Sequence, residues 1–241
     1  MEKDLLTARL TRSVILSDRT KHLEFEVIGN GRFDFIPGQF VSVREPKPDG
    51  KFITRAYSVA SAPHGDNRFD LCLNRVDEGF MSNYLCDLEP GAEIHLHGPY
   101  GHFVIKEGDR RDALFIATGT GIAPFRGMVH WLFDNLEHHQ DRQFWLIYGT
   151  RHPQDIYYRE EFEKLAAANP NFHYIVTLSR AADDWTGARG YVQDRAREIV
   201  NGRTDMEAYV CGLNQMVSAI RHLLKDELGW DRHQIIYERY D

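Results

Sequence analysis

Arg55-Ala56-Tyr57-Ser58 sets a guanidinium, a small residue, an aromatic ring and a hydroxyl side by side. A guanidinium pairs bidentately with a pyrophosphate, a tyrosine ring stacks on a flat heterocycle, and a serine hydroxyl donates to a ring nitrogen. Those are the needs of a flavin nucleotide met from one strand. Alone the tetrapeptide is a weak signal, and an ordinary edge strand explains it more simply. Three further stretches carry chemistry of the same kind. Gly79-Phe80-Met81-Ser82-Asn83 leads from a glycine into a helix start, where free backbone N–H groups favour an anion. A plain inter-strand helix capped by serine fits it equally. Thr118-Gly119-Thr120-Gly121-Ile122-Ala123-Pro124 lets the backbone approach a phosphate closely, and Pro124 suits a first helical turn. Proline in its final position sets it apart from the ordinary GxGxxG fingerprint. Ser179-Arg180, followed by Arg189, Tyr191 and Gln193, offers donors for a 2′-phosphate and a ring for adenine, or else a loop of surface arginines.

The elements that position these residues change character midway. From Thr7 to His97 the apolar residues alternate, as in Leu23, Phe25 and Val27, in Phe69, Leu71 and Leu73, and in Ile94 and Leu96. Turn signals separate them at Gly29-Asn30-Gly31, Pro37-Gly38, Pro46 to Gly50, Gly65-Asp66-Asn67 and Glu89-Pro90-Gly91. Short strands at this spacing predict an antiparallel β-barrel. One helical face interrupts them, carrying Met81, Tyr84, Leu85 and Leu88.

From Asp112 onward, continuous apolar strands alternate with helices. Ala113–Ala117 precedes the glycine turn and a helix striped with Phe125, Met128, Val129, Leu132, Phe133 and Leu136. Phe144–Tyr148 leads to Gly149 and a helix from about Ile156 to Ala168; Phe172–Leu178 leads to Ser179 and a loop ending near Tyr191. Ala208–Val210 leads to Cys211-Gly212 and a helix with Met216, Ile220, Leu223 and Leu224 on one face. This alternation predicts an α/β doubly wound parallel sheet, with ligands at the carboxyl ends of its strands. Two domains follow: 1–106, an antiparallel barrel, and 112–241, an α/β domain.

Composition removes several classes. The chain has 241 residues and a formal net charge of −7, with the acidic excess spread over both halves, which argues against nucleic acid as the main partner. No apolar run approaches a membrane span, and Met1–Leu5 lacks the pattern of a signal peptide. Cys72, Cys86 and Cys211 form no CxxC pair, so a reducing cytoplasm is expected, with neither a disulfide framework nor a four-cysteine iron–sulfur cluster. Twelve histidines include no HExxH, and His95, His97, His138 and His139 fit solvated surface better than a metal site.

Taken together the motifs resemble the ferredoxin–NADP reductase family over nearly the whole chain. The marks are Pro37-Gly38-Gln39-Phe40, Arg55-Ala56-Tyr57-Ser58, Met81-Ser82-Asn83, Gly98-Pro99-Tyr100-Gly101, the run Gly119–Arg126, Cys211-Gly212-Leu213 and the ending Glu238-Arg239-Tyr240. The resemblance implies FAD and NADP as cofactors, hydride transfer from NADPH to bound FAD, and single electrons passed to a separate ferredoxin or flavodoxin by a monomer. It implies that Arg55 and Ser82 hold the FAD pyrophosphate, that Tyr57 stacks on the flavin, and that Ser58 bonds near its N5. Ala56, Leu73, Gly79 and Met81 join that cofactor set. Thr118, Gly119, Thr120, Gly121, Ala123, Pro124 and Leu213 shape the coenzyme pocket in the same reading, with Ser179, Arg180, Arg189, Tyr191 and Gln193 at its 2′-phosphate end. Cys211 packs by the nicotinamide, Glu238 serves a proton relay, and Tyr240 covers the other flavin face. Here Asp241 follows that tyrosine, a departure from the plant-like ending that adds negative charge beside it.

Three alternatives remain at this point. The same module serves as reductase for a separate oxygenase or cytochrome, or as a free-flavin reductase, against which Arg55 and the Gly79–Ser82 segment argue. A non-catalytic nucleotide-binding subunit would lack NADPH-dependent reduction of ferricyanide or cytochrome c. Scattered arginines such as Arg75, Arg110 and Arg111 leave any docking face for an acidic carrier unassembled.

Overall fold

A computed structural model describes residues 4–29, 31–106, 108, 110–135, 137 and 139–240. Asn30, Leu136, His138 and Asp241, each named above, lie outside the described residues, as do residues 1–3. The chain divides into two compact units. One runs to Ile105 and includes Ala123–Asp134; the other holds Lys106–Ile122 and the chain from Asn135 onward.

In the first unit, β1 (Leu6–Ser17), β2 (Thr20–Val27), β3 (Phe40–Pro46), β4 (Phe52–Ser58), β5 (Arg68–Asn74) and β6 (Glu93–Tyr100) form one antiparallel sheet in the order β4-β3-β6-β1-β2-β5. Its edges meet just past β4, where Val59 bridges Leu71 and the Ala60 N–H donates to the Asp70 carbonyl at 2.8 Å. The alternating residues named above, from Leu23 to Leu96, fill the barrel interior as expected. The helical interruption is α1 (Phe80–Asp87), with Met81 and Leu85 buried and Tyr84 and Leu88 packed beside them.

The second unit carries a parallel sheet of β7 (Asp112–Thr118), β8 (Phe144–Thr150), β9 (Phe172–Leu178), β10 (Ala188–Arg189), β11 (Met206–Leu213) and β12 (Ile235–Tyr240). Its order is β10-β9-β8-β7-β11-β12. Its helices include α3 (Arg159–Ala168), α4 (Val192–Val200) and α5 (Asn214–Arg221). α2 (Ile122–Asp134) follows β7 in sequence, but from Ala123 it belongs to the first unit, where Phe125 meets Phe103 edge-on with centroids 5.7 Å apart. Successive residues of β7 and β11 serve opposite faces. Leu114, Ile116, Ala208 and Val210 pack with α4 and α5, whereas Phe115 and Tyr209 meet at a tilt of 37° with centroids 5.5 Å apart.

Three elements depart from the sequence reading. The helix expected from Ile156 starts at Arg159, because Tyr158 is left-handed (φ 57°) after the short 3₁₀ turn Pro153–Asp155. The loop after Ser179 carries the short strand β10 and then α4, whose Val192, Ala196 and Val200 recur at helical spacing. The C-terminal segment, to which the sequence reading assigned no element, is the edge strand β12, parallel to β11.

Candidate coenzyme and flavin sites

The sheet order sets the first site. From β7 the chain winds outward through β8, β9 and β10, then returns to the other side of β7 as β11 and β12. The direction reverses between β7 and β11, and the crevice at such a reversal is where open α/β sheets bind ligands. Thr118 and the 3₁₀ turn Gly119–Gly121 end one strand of that pair, and Cys211 and Gly212 end the other.

Backbone approach here is close enough to demand glycine. A Cβ on Gly121 would lie 2.3 Å from the Cys211 carbonyl oxygen, and one on Gly212 (φ +145°) would lie 2.3 Å from Thr118 Oγ1. The Tyr148 hydroxyl, which sequence reasoning passed over, donates to the Gly119 carbonyl at 3.1 Å and fixes the turn from β8. Pro124 lies in the first turn of α2, where a missing N–H leaves the helix intact. The helix start thus presents amides with no side-chain cap, a place for a phosphate. Thr118 Oγ1 is buried without an internal hydrogen-bond partner.

The register of β12 on β11 sets Glu238 opposite Cys211 and Tyr240 opposite Leu213, which is 59% exposed. Cys211 is fully buried, and burial pushes its thiol well above its ordinary range. The nearby Glu238 carboxylate pushes the same way, while the Tyr240 hydroxyl opposes them. A thiol held protonated is a packing group and not a nucleophile.

The loop after β9, where the sequence places the 2′-phosphate donors, gives its residues unequal parts. Ser179 follows β9 with its N–H on the Thr150 carbonyl at 3.0 Å, and the Arg180 N–H lies on the Arg151 carbonyl at 3.1 Å. Arg180 is exposed and meets no carboxylate among the described residues. Arg189 is different: its Nη groups donate to the carbonyls of Ala181, Ala182, Asp183 and Trp185 at 2.8–3.2 Å. Its fork therefore braces the loop. Tyr191, exposed, caps α4 jointly with Asp194, and Gln193 lies in the first turn. Arg189→Ala is expected to loosen the loop and lower affinity for NADPH and NADH together. Arg180→Ala should raise the KM for NADPH alone, by about tenfold for one charge-assisted contact. Initial rates with both coenzymes separate the two.

In the first unit, the edge strand β4 presents Arg55 and Ala56 to solvent. Arg55 Nη1 donates only to the neighbouring Thr54 carbonyl at 3.0 Å. Tyr57 packs partly into the barrel core. Burial raises its hydroxyl above the ordinary range, the Cys86 thiol adds to that, and Arg55 opposes it. Ser58 is 5% exposed, and its Oγ has no hydrogen-bond partner in the protein. A buried hydroxyl left unpaired costs about 1–3 kcal/mol, so its place fits a ligand atom that accepts from it.

Ser82 is placed differently from the expectation. Its Oγ accepts from the Val76 N–H and donates to the Gly79 carbonyl, both at 3.1 Å, so its one proton is committed to the turn before α1. An anion there falls to the amides that open α1, which has no side-chain cap. Leu73 and Met81 are core residues of the barrel, and a Cβ on Gly79 would lie 2.8 Å from Ser82 Oγ. Among the arginines considered for docking, Arg75 pairs with Asp87 and Asn83, and Arg111 with the buried Glu207 at 3.0 Å. Among the described residues no helix is long and apolar enough to cross a membrane, and no cluster of His, Cys, Asp and Glu is placed to hold a metal.

Family comparisons match each half of the chain to a domain. Residues 7–105 match the oxidoreductase FAD-binding domain and residues 115–222 the oxidoreductase NAD-binding domain. Ferredoxin–NADP reductase B of Sorangium cellulosum is 40% identical over 240 residues, covering 97% of each chain. The chain belongs to the ferredoxin–NADP reductase family. Not every relative is named for ferredoxin: the reductase component of phenol 2-monooxygenase from Pseudomonas sp. (strain CF600) is 35% identical over 210 residues. That match covers 86% of the chain and 58% of the longer relative. The fold is shared with a Neisseria gonorrhoeae ferredoxin NADP+ reductase solved with FAD and NADP bound. The TM-score is 0.82 at 21% identity, and 98% of each chain is covered.

Proposed function

We propose that this reductase oxidises NADPH at bound FAD and passes single electrons to a separate ferredoxin or flavodoxin, with residues 1–106 holding FAD and 112–241 the coenzyme. The observation that carries the reading is the β11–β12 register, which groups Cys211, Glu238 and Tyr240 at the crevice beside β7. When bound, FAD supplies the conversion between a two-electron donor and a one-electron acceptor. The protein supplies orientation, charge and proton traffic.

Arg55 and the first amides of α1 hold the FAD pyrophosphate, Tyr57 lies against the ring, and Ser58 donates its otherwise unpartnered hydroxyl to a ring nitrogen. The Gly119–Gly121 turn holds the coenzyme pyrophosphate, and Thr118 offers a second buried hydroxyl. Cys211, kept as a thiol, packs by the nicotinamide. Glu238 carries protons at its carboxylate, and Tyr240 covers the ring until the nicotinamide takes its place. Ser179 and Arg180 favour NADPH over NADH, because a 2′-phosphate needs a cation and a hydroxyl at that strand end.

A second reading, service to a separate oxygenase component, is supported by the phenol 2-monooxygenase relative. Steady-state turnover of the FAD-loaded protein with NADPH and then NADH distinguishes the two. The proposal predicts ferredoxin- or flavodoxin-dependent reduction of cytochrome c. Turnover only with an oxygenase component would favour the second reading.

A further inference from the structure

α2 opens at the glycine turn, yet from Ala123 it packs within the barrel unit, and Arg126 ties it there. Its Nη1 donates to the Ala60 carbonyl at 2.9 Å and to an Asp70 carboxylate oxygen at 3.0 Å. The two side chains of that ion pair are only 19% and 18% exposed. Ala60 lies just beyond Ser58, where the chain leaves β4.

These contacts close a ring. The Ala60 N–H donates to the Asp70 carbonyl at 2.8 Å, and the Asp70 N–H to the Ser61 hydroxyl at 3.1 Å. Asp70 thus grips Ala60 and Ser61 through its main chain and Arg126 through its carboxylate. His22 Nε2, from β2, lies 3.5 Å from the same carboxylate oxygen and adds a polar neighbour. One residue along α2, a Cβ on Gly127 would lie 2.4 Å from the Ser61 carbonyl oxygen. The helix and the segment after Ser58 therefore meet backbone to backbone beside the guanidinium.

A largely buried ion pair adds little net stability over apolar residues of the same shape. What it supplies is direction, because a planar guanidinium fixes where its acceptors lie. Both things it joins lead to assigned groups. Upstream of Ala60 stands Ser58, whose buried hydroxyl lacks a partner in the protein and is assigned to a flavin nitrogen. Upstream of Arg126 the chain runs back to the amides assigned to the coenzyme pyrophosphate. Hydride transfer tolerates little error in placement, and a shift of about 1 Å costs about 10²-fold in rate.

We infer that Arg126 is a positioning residue for hydride transfer, holding the start of α2 in place against the chain that carries Ser58. It acts through those two segments and not by contact with either cofactor. The inference rests on the proposed function for the step it serves, but the anchor has a readout of its own.

The test compares wild type with Arg126→Lys and with Arg126→Met joined to Asp70→Asn, which leaves no carboxylate buried without its cation. Stopped-flow reduction of the FAD-loaded proteins over a series of NADPH concentrations separates the limiting rate from the dissociation constant. In that step NADPH leaves as NADP+, and its hydride carries both electrons to the flavin. The double variant is expected to lower the limiting rate by about tenfold or more and to keep the dissociation constant within about twofold. Arg126→Lys should fall between, keeping the charge but losing the planar donors. Reduction by dithionite, which needs no coenzyme, should keep its wild-type rate. Amide hydrogen exchange should quicken in residues 58–62 and 123–129 and not in α3 or α4. A limiting rate equal to wild type overturns the inference, whatever the Tm. So does a loss confined to the dissociation constant, or one shared equally by dithionite. If the double variant does not fold, Arg126→Lys is read by the same criteria. A wild-type flavin that NADPH does not reduce would instead overturn the proposed function. The anchor would then stand on faster exchange in the two segments and fall if exchange were unchanged.

Discussion

Alanine at Glu238 is expected to slow NADPH-dependent flavin reduction by about 10²-fold or more, the range of a positioned acid–base group, while FAD stays bound. Glu238 lies opposite Cys211 in the register of β12 on β11 and close enough to raise the thiol's proton affinity. Its loss therefore removes a carboxylate from beside Cys211, the proposed nicotinamide end of the site. Glu238→Gln keeps the shape and should be as slow, because the amide neither takes up nor releases a proton near neutral pH.

Ser58→Ala belongs beside it. The hydroxyl is buried without a partner in the protein, so removing it should leave the Tm of the FAD-free protein unchanged or slightly raised. The same change should slow flavin reduction by about ten- to a hundredfold, one lost hydrogen bond in the transition state. A residue with a merely structural part would show the reverse, a lower Tm with a normal rate. Stopped-flow absorbance of the flavin, with calorimetry of the same samples, reads both. Rates equal to wild type in the Ser58 and Glu238 variants would remove their assigned parts.

The second large effect concerns Gly121. An added Cβ would lie 2.3 Å from the Cys211 carbonyl oxygen and 2.6 Å from its carbon, both backbone atoms that cannot rotate away. The glycine turn and β11 must separate, an overpacking that costs about 1–3 kcal/mol or more. In a chain of this size that lowers the Tm by about 2–4 °C for each kcal/mol. Because the turn's amides are the proposed seat of the coenzyme pyrophosphate, the KM for NADPH should rise by at least about tenfold, equivalent to about 1.4 kcal/mol of lost binding. Gly119→Ala is the control. Its Cβ meets nothing within 4 Å, and only its φ of +54° is strained, which costs about 1–2 kcal/mol. If Gly119→Ala proves the more damaging, the close approach of turn and strand is not what the site depends on.

Much of the fold was legible in the chain. Alternation placed Leu23, Phe25 and Val27 inside an antiparallel barrel, and the unbroken run Ala113–Ala117 announced a buried parallel strand, because burial on two faces leaves no polar position. The glycine turn was equally plain, since Gly119 and Gly121 answer a backbone requirement that spacing records. The edge strand β12 was not, because Glu238 and Arg239 break its apolar pattern while serving different faces. Short α4 hid behind an arginine-rich loop.

Side-chain partners were the least legible. The same residue type that binds an anion also braces a turn, and sequence does not tell Arg180, exposed, from Arg189, committed to the Ala181–Trp185 carbonyls. Ser82 illustrates this too, its proton given to Gly79. Nor did any spacing bring Arg126 to Asp70; the packing of α2 within the barrel unit did.

The account is tested most directly by mixing the purified, FAD-loaded protein with NADPH under anaerobic conditions, then adding ferredoxin and cytochrome c. It predicts a yellow protein whose flavin absorbance bleaches with NADPH faster than with NADH, and cytochrome c reduction that depends on ferredoxin. A protein that retains no FAD, or a flavin that neither coenzyme bleaches, would contradict it.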